Sequence, residues 1–526
     1  MRRWSSVGIF AIFLCLVPIA AEAQRGVELR LIGRFETGIF DDSGAEIPAF
    51  DPSTSRLFFT NAADNVVHVL DITDPQNSTL LATIELAALG GGVNSVAVAN
   101  GVLAVAIEAD PAQAPGTVAF YDTQTLELLS SVAVGALPDM VTFTPDGTKV
   151  LTANEGEPVD YCMAGLDQDP VGSISIIDIS GGAAAVTAAN VMTAGFGAFD
   201  GAAPEGVRIF GPNATVSQDL EPEYIAVSPD SATAWVTLQE NNAVAIVDIA
   251  TGMVTDIVPL GVKDHHALRT GFDASNRDDT IRIRPWPTVG MYQPDAITAY
   301  ERGGNVYYVT ANEGDARDYD CFSEEERVND LTLDPAVFPA ADVLQRDENL
   351  GRLTVTTVNG DMGADGDFEE IWQFGARSFS IWNSAGERIY DSGNEFELIT
   401  AGAFPDEFNS NNDENDSADA RSDDKGPEPE GVVVGSFRGR DYAFIGLERV
   451  GGVMVYDVSE PQGSFFVDYI SSRDFEGDAE MGEAGDLGPE GLVYIPIEDS
   501  PIPRALLVVT YEVSGSVAFY SLVPRG

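Results

Sequence analysis

The feature that most restricts this chain is a module that recurs along it. Pro222-Glu223-Tyr224-Ile225 leads to Val236-Thr237-Leu238-Gln239-Glu240, and then to Ala245-Ile246-Val247-Asp248. The same succession runs from Pro138-Asp139-Met140 to Leu151-Thr152-Ala153-Asn154-Glu155, and from Pro294-Asp295-Ala296 to Val309-Thr310-Ala311-Asn312-Glu313. It returns from Pro429-Glu430-Gly431 to Gly446-Leu447-Glu448, and from Pro489-Glu490-Gly491 to Thr510-Tyr511-Glu512. Weaker copies occupy residues 48–71 and 93–122. Each copy is a set of short Val-, Ile-, Tyr- and Phe-rich runs divided by Asp-Gly, Gly-Gly or Asn-rich turns, the pattern of antiparallel strands. Helical periodicity is nearly absent.

Four-stranded units that repeat at intervals of roughly 40 residues or more are blades of a β-propeller, because one such sheet cannot cover both of its own faces. A two-sheet sandwich is the fallback, and it leaves the equivalence of the modules unexplained. The fifth copy lacks its third strand until Ser378-Phe379-Ser380-Ile381-Trp382. Residues 314–376 are therefore one insertion, and about seven blades result. If the strand at 353–358 belongs to a blade of its own, the ring has eight. The last copy stops after its third strand, so the unused segment 27–35 is expected to supply the missing outer strand and close the ring.

Arg2 and Arg3, the apolar run 7–20 and the small-residue site Ala21-Glu22-Ala23 have the layout of a secretory signal peptide over residues 1–23. The run is short for a membrane span, and no later segment resembles one. The mature chain, 24–526, is expected to be a single domain, secreted or periplasmic. Cys162 and Cys321 then lie in a disulfide-permissive compartment and are either bridged or free.

The net charge is −56, from 84 acidic against 28 basic residues, while 44% of the chain is hydrophobic, ample for a core. Such a surface repels nucleic acid and anionic membrane and attracts cations. In a blade, the start of the first strand and the end of the second share a face. The first-strand starts carry Asp139, Glu223, Asp295, Glu430 and Glu490, with Ala49 and Asn94 or Ser95 in the early copies. The second-strand ends carry Glu108, Glu155, Glu240, Glu313, Glu448 and Glu512. Carboxylates crowded about one channel must bind cations, take up protons or pair with bases. Oxygen donors, in a chain whose histidines are only His68, His265 and His266, select hard cations, Ca²⁺ ahead of Mg²⁺. The structural alternative is that the second-strand glutamates bond backbone groups and hold neighbouring blades together. His265-His266 reads as a polar loop.

Insertions 156–171, 314–376 and 396–427 are expected on the same face. Within them Asp361, Asp365 and Asp367 alternate with glycine as in part of a calcium loop. Residues 409–424, rich in Asn, Asp and Ser, read as a flexible segment. Arg377, Arg449, Arg317 and Lys425 are the basic side chains placed to neutralise some acids or to stabilise a transition state.

The phrases Thr310-Ala311-Asn312-Glu313-Gly314-Asp315-Ala316-Arg317-Asp318-Tyr319, Phe374-Gly375-Ala376-Arg377-Ser378 and Gly446-Leu447-Glu448-Arg449-Val450-Gly451-Gly452 resemble the bacterial choice-of-anchor I domain. So does Asp424-Lys425-Gly426-Pro427-Glu428-Pro429-Glu430-Gly431. That family is similar to mesenchyme-specific cell-surface glycoproteins, and its members are often labelled alkaline phosphatase. The resemblance implies a secreted propeller and brings no agreed set of catalytic residues. Two functions follow as expectations. One is a calcium-binding propeller used as an extracellular binding or surface module, its partners divalent cations and another extracellular component. The other is a calcium-dependent phosphoesterase, acting on a phosphate-bearing small molecule through metal-activated water.

Overall fold

Short β-branched and aromatic runs form strands here because each blade-sized sheet buries both faces against its neighbours. The computed structural model describes residues 26–162 and 168–525; the expected signal segment 1–23 lies outside them. The chain is an all-β propeller. Among the described residues are seven four-stranded antiparallel sheets, whose first strands are Pro48–Asp51, Gly92–Ala99, Pro138–Phe143, Ile225–Val227, Ile297–Arg302, Pro429–Phe437 and Pro489–Ile495. First strands of consecutive sheets pack side by side, and Pro489–Ile495 also meets Pro48–Asp51. In the seventh sheet the outer strand is Val27–Glu36, which pairs antiparallel with Ser516–Pro524.

The core is a series of layers between adjacent sheets. Ile174 and Ile176 of the third sheet pack with Val236 and Ala245 of the fourth. Trp235 of the fourth stacks on Tyr308 of the fifth, ring centroids 4.0 Å apart. Leu57 and Phe59 of the first meet Val508 and Phe519 of the seventh. No helix among the described residues is long and apolar enough to cross a membrane.

The third strand of the fifth sheet is Ser378–Asn383, so the chain does leave this sheet for a long excursion. That excursion is not self-contained. Glu325–Arg327, Thr354–Thr356 and Trp372–Gln373 join Val262–Asp264 and Val289–Met291 in a five-stranded sheet. Phe272, Trp286, Phe338 and Leu353 give it a core of its own. The pattern at 262–291 was too short and too interrupted by Asp, Arg and Pro to announce this partnership.

Two local expectations are corrected. Residues 409–424 are packed rather than loose: Asn409, Ser410 and Ser422 are fully buried, and Asn409 donates to Ser422 Oγ at 3.0 Å. His265 is not a surface loop residue; it is buried edge-on against Phe272. A short helix, Glu395–Ala403, precedes the Asn- and Asp-rich segment. Cys162 and Cys321 are bridged, tying the loop after the third sheet's second strand to the excursion.

Candidate metal centre

Backbone register explains why acids recur where first strands begin. Pro138 pairs with Asn154 and Met140 with Ala153, so Asp139 is an extra residue in a bulge. The same break falls between Pro429 and Val432 and between Pro489 and Leu492, which places Glu430 and Glu490 in bulges too. A bulge frees one residue from the ladder and re-aims its side chain. The glycine that follows is required by close approach. A Cβ on Gly431 would lie 1.9 Å from the Glu490 carbonyl oxygen, and one on Gly491 would lie 2.3 Å from that of Glu46. Glu223 and Asp295 occupy the same places just before Ile225–Val227 and Ile297–Arg302.

At the second-strand ends, the structural duty falls mostly on the residue before the glutamate. Asn154 donates to Ser173 and Ser175 of the third strand, and Asn312 to Ser378 and Ser380. Glu313 alone of these glutamates accepts a bond from the preceding sheet, from Gln239 Nε2 at 3.0 Å. The expectation that this ring is inter-blade glue therefore holds at Glu313.

Acids line two neighbouring cavities that share Asp139 and Asp295, while Glu448 and Glu512 line a third. A cavity of about 100 Å³ is lined by Asp139, Asp295 and Glu490 together with Asn94, Ser95 and Tyr224. A wider one of about 320 Å³ shares Asp139 and Asp295 and adds Glu155, Glu157, Glu223, Glu240 and Asp315. Glu223 and Glu240 are each 7% exposed, and among the described residues the Oε2 atoms of both have no hydrogen-bond partner. Oε2 of Glu430, Glu448 and Glu490 is likewise unpartnered. Desolvation, with repulsion from neighbouring acids added, pushes Glu155, Glu223, Asp295, Glu430 and Glu490 well above the usual carboxylate range. Asp139 is pushed up to about 7 by desolvation and by Glu157 and Glu108. Glu240 also reaches about 7, where desolvation outweighs the pull of Arg317.

Several members of this arrangement were missed from sequence. Glu46 precedes the first sheet by two residues, and its carboxylate lies with those of Glu490 and Glu512, ligand oxygens within 4.8 Å of one another. It does there what Ala49 could not. Glu428 and Asp315 occupy no repeat position, so the module does not single them out. Glu428 is fully buried and accepts from Arg421 and Arg449 at 2.8 and 2.9 Å.

The basic candidates separate into two pairs. Lys425 and Arg449 stand at the carboxylates: Lys425 Nζ is 3.2 Å from Glu313 and 3.4 Å from Glu428, and Arg449 is 3.0 Å from Glu448. Arg317 is buried against Asp219 and Glu221 at the edge of the wider cavity, its guanidinium over the Phe210 ring. Arg377 is not brought to the acids. It is buried with Glu397 at 2.6 Å and donates to the Ser422 and Asp424 carbonyls, which holds the loop that carries Lys425. In the separate Asp-Gly loop, Asp365 and Asp367 gather with Glu369, while Asp361 turns back to accept from the amides of Asp365 and Gly366.

Fold and site together define an all-β propeller with a mouth of unpartnered carboxylates. Residues 46–461 match the choice-of-anchor I domain, and the chain belongs to that family. It is 34% identical to gigasin-3a of Magallana gigas over 190 residues, 34% of this chain and 66% of that protein. It is 30% identical to the mesenchyme-specific cell surface glycoprotein of Strongylocentrotus purpuratus over 280 residues, 47% of this chain and 36% of the relative. The matched part thus spans less than two thirds of either relative. Among solved structures, hydrazine synthase of Kuenenia stuttgartiensis aligns with a TM-score of 0.46 at 14% identity, covering 93% of this chain and 98% of that one. The Cps50 (Swd1) β-propeller domain of Myceliophteria thermophila aligns at 0.44 and 8% identity, covering 94% and 99%.

Proposed function

We propose that this chain is an exported calcium-binding β-propeller that serves outside the cell as a binding or surface module. In this reading the seven sheets are blades of one ring, closed where Val27–Glu36 completes the last sheet, and residues 24–526 form a single domain once 1–23 is removed. The observation that carries the proposal is the set of buried carboxylate oxygens that, among the described residues, have no partner at Glu223, Glu430 and Glu490. An ionised carboxylate withdrawn from water is costly unless a cation or donor meets it. The donors are all oxygen, from carboxylates that belong to separate loops, which suits the irregular six-to-eight-fold shell of Ca²⁺ better than the strict octahedron of Mg²⁺. The ligands proposed are Asp139, Glu223, Asp295, Glu430, Glu490, Glu155 and Glu313, with Asp361, Asp365 and Asp367 as a separate loop. Of these, Glu313 is already engaged by Lys425, and Asp361 by its own loop backbone.

Thermal melting of the mature protein in EGTA, in Ca²⁺ and in Mg²⁺ tests this. Binding only to the folded state at a hundredfold excess over Kd adds about 2.7 kcal/mol. The expected result is a melting temperature raised by Ca²⁺ and raised less by Mg²⁺; identical melts in all three would refute the proposal.

The phosphoesterase alternative needs a cation free to meet phosphate, and all four basic candidates are already held by carboxylates. The binding reading is the better supported. Assay of p-nitrophenyl phosphate and phytate with Ca²⁺ and with EGTA is expected to give no turnover, and calcium-dependent turnover would reverse the preference.

A further inference from the structure

One cluster in the mouth has a feature that its neighbours lack. Glu313, Glu428 and Glu448 bring ligand oxygens within 4.8 Å of one another. Two oxygens on one Ca²⁺ can be at most about 5 Å apart, twice the bond length, so this spacing suits a shared ion. Glu448 is 5% exposed, and its Oε2 has no partner. Yet an ammonium group is already there: Lys425 Nζ lies 3.2 Å from Glu313, 3.4 Å from Glu428 and 3.8 Å from Asp315. At the equally spaced trio Glu46, Glu490 and Glu512, no basic side chain comes within 4 Å among the described residues.

We infer that Lys425 is a tethered counter-ion, its ammonium occupying the place among Glu313, Glu428 and Glu448 that a divalent cation would otherwise take. The lysine sets how many ions the mouth accepts and where. It is not free to leave, because Arg377 grips the Asp424 carbonyl at 2.6 Å and the Ser422 carbonyl at 3.0 Å, fixing the loop on which Lys425 is carried. A single positive charge on a four-carbon stem balances part of this cluster, and Arg421 and Arg449 balance the rest through Glu428. Removing the ammonium leaves three carboxylates at calcium-like spacing with too little charge to oppose them.

The inference rests on the mouth being a cation binder, and its readout is a difference between variants, so the two can fail separately. Equilibrium dialysis of the EGTA-stripped mature chain against Ca²⁺ gives the number of bound ions. Lys425→Met is expected to bind one Ca²⁺ more than the parent, Lys425→Arg the same number as the parent, and Lys425→Met with Glu448→Gln to lose the additional ion. If Lys425→Met fails to fold in EGTA, refolding is compared in Ca²⁺ and in Na⁺ at equal ionic strength, and recovery in Ca²⁺ alone is the expected result. A parent that binds no Ca²⁺ beside a Lys425→Met that binds one would sink the broader function and leave this inference standing. A folded Lys425→Met that binds no more than its parent, an extra ion in Lys425→Arg as well, or no recovery in Ca²⁺ would overturn it.

Discussion

Glu428, fully buried, and Asp139, which lines both cavities, belong to one gathering of acids, yet they are driven in opposite directions. At Glu428, desolvation is outweighed by Lys425, Arg421 and Arg449, and the carboxyl is pulled down to about 2. At Asp139 no basic side chain among the described residues comes within ion-pair distance, and desolvation with the charges of Glu157 and Glu108 pushes it up to about 7. Both arcs are crowded with carboxylates, so crowding is not what separates them. The difference is the supply of basic side chains, concentrated in residues 421–449. Arg317 lines the wider cavity but is held by Asp219 and Glu221, so the mouth has a self-neutralised arc and an arc whose own acids form no ion pair among the described residues, the acid-only arc.

The sharpest contrast comes from removing one charge in each arc. Glu428→Gln leaves three cations facing a neutral amide in a buried place, and breaking such a pair costs about 3–5 kcal/mol. Urea unfolding should show that loss in EGTA and in Ca²⁺ alike. Glu223→Gln should do the reverse. Without metal it relieves a buried unpartnered acid and raises the melting temperature, while calcium affinity falls at least about tenfold, or 1.4 kcal/mol. If both variants lose stability equally in EGTA, the distinction between the arcs is wrong.

A pH series sharpens the same comparison. Unfolded carboxyls titrate near about 4, whereas Asp139 and Glu240 in the folded chain reach about 7. Between these values the folded state holds more protons, so its stability falls as pH rises. The contribution is complete below the unfolded value and gone above the folded one. In EGTA the melting temperature should therefore drop from pH 5 to pH 8, and Ca²⁺ should protect more at pH 8. Glu428 has the opposite sign: its contribution is lost only in strong acid, as pH falls toward about 2. The smallest effect belongs outside both arcs. Asp365→Asn, in an exposed loop, should alter stability in EGTA by no more than about 0.5 kcal/mol by chemical denaturation.

How much of this could be read from the chain depends on the range of the interaction. Strands and the acid positions were legible, because the repeat places Pro-Asp and Pro-Glu at one end of each module. The bulge at Asp139 was not, since it arises from pairing register, nor was Glu46, which reaches the mouth from two residues upstream of the repeat. Lys425 and Arg449 lie beside acids that are near them in sequence, Lys425 three residues before Glu428 and Arg449 next to Glu448. Arg317 and Arg377 were harder. Of their partners, Asp219 and Glu221 lie in the stretch before the fourth sheet and Glu397 in an insertion, and the docking of neither follows a local periodicity. The packed state of 409–424 was hidden for the same reason: Asn409 is held by Ser422 and by Glu397, contacts that no local pattern announces.

Calcium titration of the metal-stripped mature chain at pH 8, by calorimetry, tests most directly whether the acid-only arc needs an inorganic partner. Saturable binding that is lost in a Glu223→Gln, Glu240→Gln double variant, itself as well folded in EGTA as its parent, is the predicted result. No heat of binding in the parent, or undiminished binding in the double variant, would contradict it.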